Sequence, residues 1–339
     1  MNVDHQSWSR VYSSTQRLIT YTNHLTRPTH LTVADSTANT GCYPRKRGNH
    51  GGSAYPILRL SALLSCGTRS ILDAVFDPIS VGELDQARRL ARNLHPGMLL
   101  LADRNYAAAD LLNTLAATGA DLLIRCKNGR KLPLLHRHRD GTWQTVLAGR
   151  RLRVVEARIT ITTTTGTRTS DYRLLTTLLD PHTHPAAQLI TLYHQRWEIE
   201  TAYLELKSSI LGGRVLRART PQGIDQEIHA LLITYQLLRT AMVDATDSRP
   251  DLDPDRASFT TALNTAREQL VHTAGVITDT VIDLIGAIGT AILANLLPDR
   301  RIRIKTRMIK RSNSKYQARG PNIDRRSYQA TTSINIISP

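Results

Sequence analysis

Hydrophobic and polar positions alternate most clearly from residue 58 to 64. Leu58, Leu60, Ala62 and Leu64 fall between Arg59, Ser61 and Leu63, the two-residue period of a strand. Ser65 to Arg69, with Gly67 inside it, turns the chain into a second strand over Ser70 to Phe76, so the pair predicts a hairpin. Upstream, His30 to Ala34 reads as a short strand ending at Asp35, and Asn39 to Tyr55, rich in Gly, Arg, Lys and His, reads as a loop. Downstream, Ser80 and Glu83 have the spacing of a capping box, opening a helix with Leu84, Ala87, Leu90, Ala91 and Leu94 on one face. Met98 to Ala102 is an unbroken apolar run before Asp103, the pattern of a buried parallel strand. A helix over Ala107 to Thr118, closed by Gly119, then leads to another apolar strand, Asp121 to Cys126. The order is three strands, helix, strand, helix, strand.

The pattern changes after Lys127. Arg153, Val155, Ile159 and Thr162 to Thr165 favour strands, with turns at Asp140-Gly141 and Gly166, so residues 128–180 read as a β-rich insertion. Helical periods follow at roughly 186–211, 222–245, 257–273 and 277–297. The first thirty residues are polar and read as a lead-in without the apolar centre of a signal peptide. Leu284 to Leu297 is too short for a membrane helix.

Charge sharpens this picture. Lys and Arg number 44 against 28 Asp and Glu, for a net +16, and only seven of the cations are lysine. Residues 300–339 hold eleven of them against Asp324 alone, so +10 sits in the last forty positions. Such a basic tail points to a polyanion, with nucleic acid favoured over simple solubilisation. Cys42, Cys66 and Cys126 are too few and too scattered for a disulfide framework or a zinc knuckle, which makes a reduced, cytoplasmic setting the expectation.

Three carboxylates are placed for chemistry. Asp35 and Asp103 each end a strand, and the first strand of a meander and the following parallel strand are candidates to lie side by side. Glu200 stands on the helix after the insertion. Carboxylate oxygens suit Mg²⁺, and two such ions serve phosphodiester chemistry. On the helix, Tyr193, Arg196, Glu200 and Lys207 fall within a sector of roughly 60° over about 21 Å. Leu192, Ile199, Leu206 and Ile210 form the neighbouring apolar stripe, while Glu198 and Glu205 point away from Glu200. The plainer readings are a strand-end cap for each Asp and an Arg196–Glu200 surface pair.

The spacing Tyr193-x2-Arg196-x3-Glu200-x6-Lys207 resembles the signature around the third acid of DDE transposases of the insertion sequence 4 family. Val33-Ala34-Asp35-Ser36-Thr37, with Ser36 where the family usually has Gly, resembles its first-acid segment, and Leu99 to Tyr106 resembles the segment around its second acid. Tyr55 to Glu83 and the stretch from Ser314 to Tyr328 are also similar, so the likeness runs from about residue 30 onward.

The resemblance implies an α/β fold: an RNase H-like mixed sheet with helices, interrupted by the β-rich insertion. The first part of that core would be residues 31–127 and its completion 181–245, followed by C-terminal helices over 246–299 and the tail. It implies Asp35, Asp103 and Glu200 as ligands of two Mg²⁺ ions, with Mn²⁺ able to substitute, and Tyr193, Arg196 and Lys207 as DNA contacts. It also implies cleavage at transposon ends and strand transfer into target DNA, by a homodimer on double-stranded DNA in the bacterial cytoplasm and nucleoid. Only 34 residues precede Asp35, where full-length members carry a helical DNA-binding region, so N-terminal truncation is expected. The alternatives are a non-catalytic DNA-binding relic and a host nuclease of the same fold. His136-x-His138 and His182-x-His184 lack further ligands nearby and read as surface histidines. Trp143 and Trp197 read as packing residues.

Overall fold

Backbone pairing begins earlier than the polar lead-in suggests. In a computed structural model describing residues 21–25, 28–46, 53–194, 198–249, 251–274, 283–298, 303–305 and 327–338, Tyr21–Leu25 already forms strand β1. Thr29–Thr32 (β2), Ile57–Ser65 (β3) and Ile71–Pro78 (β4) follow, with a short helix, Thr37–Cys42 (α1), in the segment expected to be loop. Ser36 explains that helix, because its side chain accepts the Asn39 N–H and caps the first turn. Next come Glu83–Leu90 (α2), Met98–Ala102 (β5), Ala109–Ala117 (α3) and Asp121–Cys126 (β6). The Ser80 capping box does not form. Gly82 is the N-cap of α2 without a side-chain bond, and Glu83 instead accepts a hydrogen bond from Asn105 at 2.7 Å.

Register fixes the order of these strands. Leu63 pairs with both Leu25 and Asp73, and Leu58 with both Leu31 and Pro78. Hence β1 and β2 lie end to end on one side of β3, and β4 lies on the other. β1 then runs parallel to β5, and β5 parallel to β6. The result is a mixed sheet in an α/β fold.

The residues read as an insertion extend this sheet rather than standing apart from it. They form His136–Arg137 (β7), Trp143–Leu147 (β8), Arg150–Thr163 (β9) and Gly166–Thr176 (β10). β10 pairs antiparallel with β6, and β9 lies outside β10. Fully buried Arg153 on β9 ties the region together, because its guanidinium pairs with Asp140 at 2.6 Å and donates to Thr142 and to the His184 carbonyl. Trp143 is buried in the core, as its packing reading requires. The His136 and His138 rings meet edge to face, 5.0 Å apart.

The remaining helices are Ala186–His194 (α4), Glu198–Leu204 (α5), Pro221–Asp247 (α6), Phe259–Ala274 (α7) and Leu284–Ala294 (α8), and Glu205–Ile210 forms a π-helical turn directly after α5. Arg196, Trp197 and the expected helical residues 277–282 lie outside the described residues. The tail is not uniform. Arg303–Lys305 (β11) and Ser327–Ile336 (β12) are strands, and β12 pairs with β9. The alternation of Ile334 and Ile336 with Ser333 and Asn335 accounts for it, and all eleven cations precede β12.

Side chains alternate across β3 as the sequence pattern requires. Leu58, Leu60, Ala62 and Leu64 pack with Ile199, Leu206 and α6 to α8, whereas Leu63 faces α2 and α3. A third cluster, including Leu99, Leu101 and Leu123, lies under α4. No helix among the described residues is long and apolar enough to cross a membrane.

Candidate functional site

The helices after the insertion are held on the sheet by two tyrosines. Tyr193, at the end of α4, is only 4% exposed and donates its hydroxyl to the Ala102 carbonyl at 3.1 Å. It was expected at DNA; in the structure its ring is in the core and its hydroxyl fixes α4 over the end of β5. On α5, Ile199, Ala202 and Tyr203 are buried, and the Tyr203 hydroxyl accepts the Ala62 N–H. Glu200, on the same helix, is exposed.

Asp103 continues β5 by one residue. Ala102, Leu25 and Leu63 share a row, so the next step places Asp103 level with Ala62, where Tyr203 is anchored. Glu200 lies three residues before Tyr203, about 4.5 Å along the helix. The anchors of Asp103 and Glu200 thus meet at one level of the sheet. The Asp103 carboxylate accepts the Arg104 N–H at 2.8 Å and caps the turn Arg104–Tyr106.

Asp35 is elsewhere. Thr32 pairs with Ile57, five residues along β3 from Ala62, or about 17 Å at strand spacing, and Asp35 follows three residues later. Its exposed carboxylate pairs with Arg45 at 2.6 Å and accepts from Thr40. The hydrogen bond from Arg45 is the main cause holding that carboxyl below its ordinary pKa. The side-by-side placement of Asp35 and Asp103 expected from the meander is not made, because β1 occupies the position beside β5 that the Asp35 strand was to fill. Among the described residues, no three His, Cys, Asp or Glu side chains are grouped to hold a metal ion. As arranged, the three acids do not fit a shared ion pair.

On β2, His30 lies opposite Arg59 of β3. Half-buried His30 is pushed down to a pKa of about 4, first by burial and then by the charges of Arg59, Lys46 and Lys207. Lys207, expected at DNA, acts on His30 together with Arg59 of β3 and Lys46 of the segment after α1. Sequence spacing did not single out His30, Lys46 or Arg59; the alternation along β3 marked only that Arg59 leaves the apolar face. Glu205, expected to point away from Glu200, is buried against Arg69 and Arg239.

Residues 27–237 match the family model described as a transposase DDE domain. The transposase InsG for insertion sequence element IS4 of Escherichia coli (strain K12) is 24% identical over 291 residues, covering 83% of this chain. The chain spans 66% of that relative's length. Among solved structures, the piggyBac transposase synaptic complex with hairpin DNA, seen by cryo-EM, aligns with a TM-score of 0.44 and 10% identity, over 81% of this chain and 57% of that one.

Proposed function

Because the chain belongs to the transposase DDE domain family, we propose that it is the catalytic part of a DNA transposase, cutting phosphodiester bonds at transposon ends and joining them to target DNA. The observation that carries this reading is the extent of the match: residues 27–237 take in Asp35, Asp103, Tyr193, Glu200 and Lys207 together. The strand order supports an RNase H-like core. β4, β3 and the end-to-end pair β1 and β2 form an antiparallel meander, followed by parallel β5 and β6.

The family's chemistry uses divalent metal ions, and Mg²⁺ would serve it as a Lewis acid toward phosphate oxygens. Asp103 and Glu200 are the acids proposed to take part, since their anchors share one level of the sheet. Asp35, paired with Arg45, stands apart from them. Double-stranded DNA is the proposed partner, engaged through Lys207, Lys46 and Arg59 and through the basic stretch before β12, with a second copy of the chain in the DNA complex. Backbone phosphates are the natural ligands of such a surface, and contacts to them position the duplex without choosing its sequence.

Nicking of supercoiled plasmid in Mg²⁺ tests the reading. Glu200→Gln and Asp103→Asn should each abolish nicking while leaving the circular dichroism spectrum unchanged. Full nicking by both variants would remove these acids from the reaction, and no nicking by the parent chain, with DNA binding intact, would favour the non-catalytic relic.

A further inference from the structure

The π-helical turn that carries Lys207 begins at Glu205, and Glu205 is the centre of a buried charge cluster. Arg239 of α6 donates to its carboxylate, and the Arg69 guanidinium lies 3.8 Å from it. Arg69 also pairs with Asp255 at 2.6 Å. Arg239 is held in turn by the Tyr235 hydroxyl at 3.1 Å and by the Phe259 ring, whose centroid is 5.1 Å away. Tyr235 donates to the Arg69 carbonyl, and Arg69 sits at a φ of 57°, a left-handed conformation that L-residues adopt at a cost. One carboxylate at the head of the turn is thus tied to the β3–β4 turn and to α6, and through Arg69 to the Pro254–Arg256 turn.

Such a cluster is poorly explained as a source of stability, since burying charges costs about what their pairing returns. Its effect is geometric. The turn's hydrogen bonds span five residues, as in Leu211 N–H to the Leu206 carbonyl at 3.0 Å, and π-helical turns inside helices often mark functional sites. Lys207 lies two residues beyond Glu205, and its direction is set by how that turn is seated. We propose that the Arg69–Glu205–Arg239–Asp255 cluster is a positioning device that holds the π-helical turn so that Lys207 joins the cations around His30. The proposal rests on the reading above that Lys207 contacts DNA.

Salt dependence of binding to a short duplex of arbitrary sequence tests it with the full chain. For every phosphate the protein ceases to neutralise, the slope of log affinity against log salt flattens by about 0.9. Lys207→Ala should do this. Glu205→Gln should flatten the slope by the same amount, although removing a carboxylate raises the net charge and would by itself steepen it. The double variant should flatten it no further than either single one. If Lys207→Ala leaves the slope unchanged, Lys207 does not touch DNA, and the underlying reading fails. If Lys207→Ala flattens it but Glu205→Gln does not, or if the two effects add, the positioning role is overturned. Should Glu205→Gln prove unfolded by circular dichroism, Arg239→Lys takes its place in the same cycle. That variant keeps the charge opposite Glu205 but removes the guanidinium fork, and the same outcomes decide.

Discussion

Ala62 and Tyr203, 141 residues apart, are joined where β3 passes from one partner strand to the next: the Ala62 N–H donates to the tyrosine oxygen at 3.0 Å. β1 reaches Leu63 and β2 begins at Leu60, so this N–H faces the interval between them. A buried donor without an acceptor is costly, and the tyrosine removes that cost. Tyr203→Phe keeps the ring and removes the acceptor. It should destabilise the chain by about 1–3 kcal/mol, read as a lower urea midpoint at unchanged slope. An unchanged midpoint would show that the N–H finds another partner.

Ala148 and Gly149 link β8 to β9 with φ values of 54° and 75°. A two-residue hairpin with both central residues left-handed favours glycine, and an alanine there carries strain of roughly 1–2 kcal/mol. Ala148→Gly relieves it, partly offset by a more flexible unfolded chain. Its melting temperature should rise; a fall would mean that the entropy outweighs the strain.

Residues 300–326 carry the eleven cations of the C-terminal region, while β12 carries none. Replacing those Lys and Arg residues by Gln should leave the fold intact and flatten the salt dependence of DNA affinity, by about 0.9 for each phosphate left without its cation. Truncation before Ser327 should lower stability instead, because it strips a strand from β9. An unchanged salt slope in the Gln variant would show that these cations do not meet DNA.

His30 titrates far below its ordinary 6.5, at about 4, so the unfolded chain takes up its proton first. Its contribution to stability is complete above about 6.5 and is lost as pH falls from there toward 4. Lys207→Ala removes one of the charges that depress it, and the His30 pKa should rise in that variant, as followed by NMR of the ring protons. Bound DNA should raise it as well, since phosphates neutralise the neighbouring cations. No change in either case would place those charges too far away to matter.

The strands from Ile57 to Cys126 were legible because each has a period and a boundary residue. Met98–Ala102 and Asp121–Cys126 agree with their apolar runs residue for residue. β1 was not legible, since the sequence Tyr-Thr-Asn-His-Leu has no apolar alternation, and the strand is defined by its pairing with β3 and β5. The same hidden strand explains why Asp35 was expected beside Asp103. Helix spacing correctly put Ile199 and Leu206 inside and Glu200 outside. It missed Glu205, because a carboxylate buried by the distant Arg69 and Arg239 leaves no local signature. The Ser36 cap was missed for the opposite reason: its signal is local, but a six-residue helix has almost no period to read.

The ladder between β9 and β12 pairs Thr163 with Ala330, 167 residues later. Pairings of such separation form late in folding, because the intervening chain must be brought together first. Until β12 arrives, the outer edge of β9 is an open template for strands of other molecules. Along that edge Ile159, Ile161 and the threonines are β-branched and Arg158 is the one charge, so an unpaired β9 has the make-up of an aggregation-prone strand. Molecules that fold slowly at high concentration should therefore fail first by exchanging β12 between copies, giving dimers joined through β9.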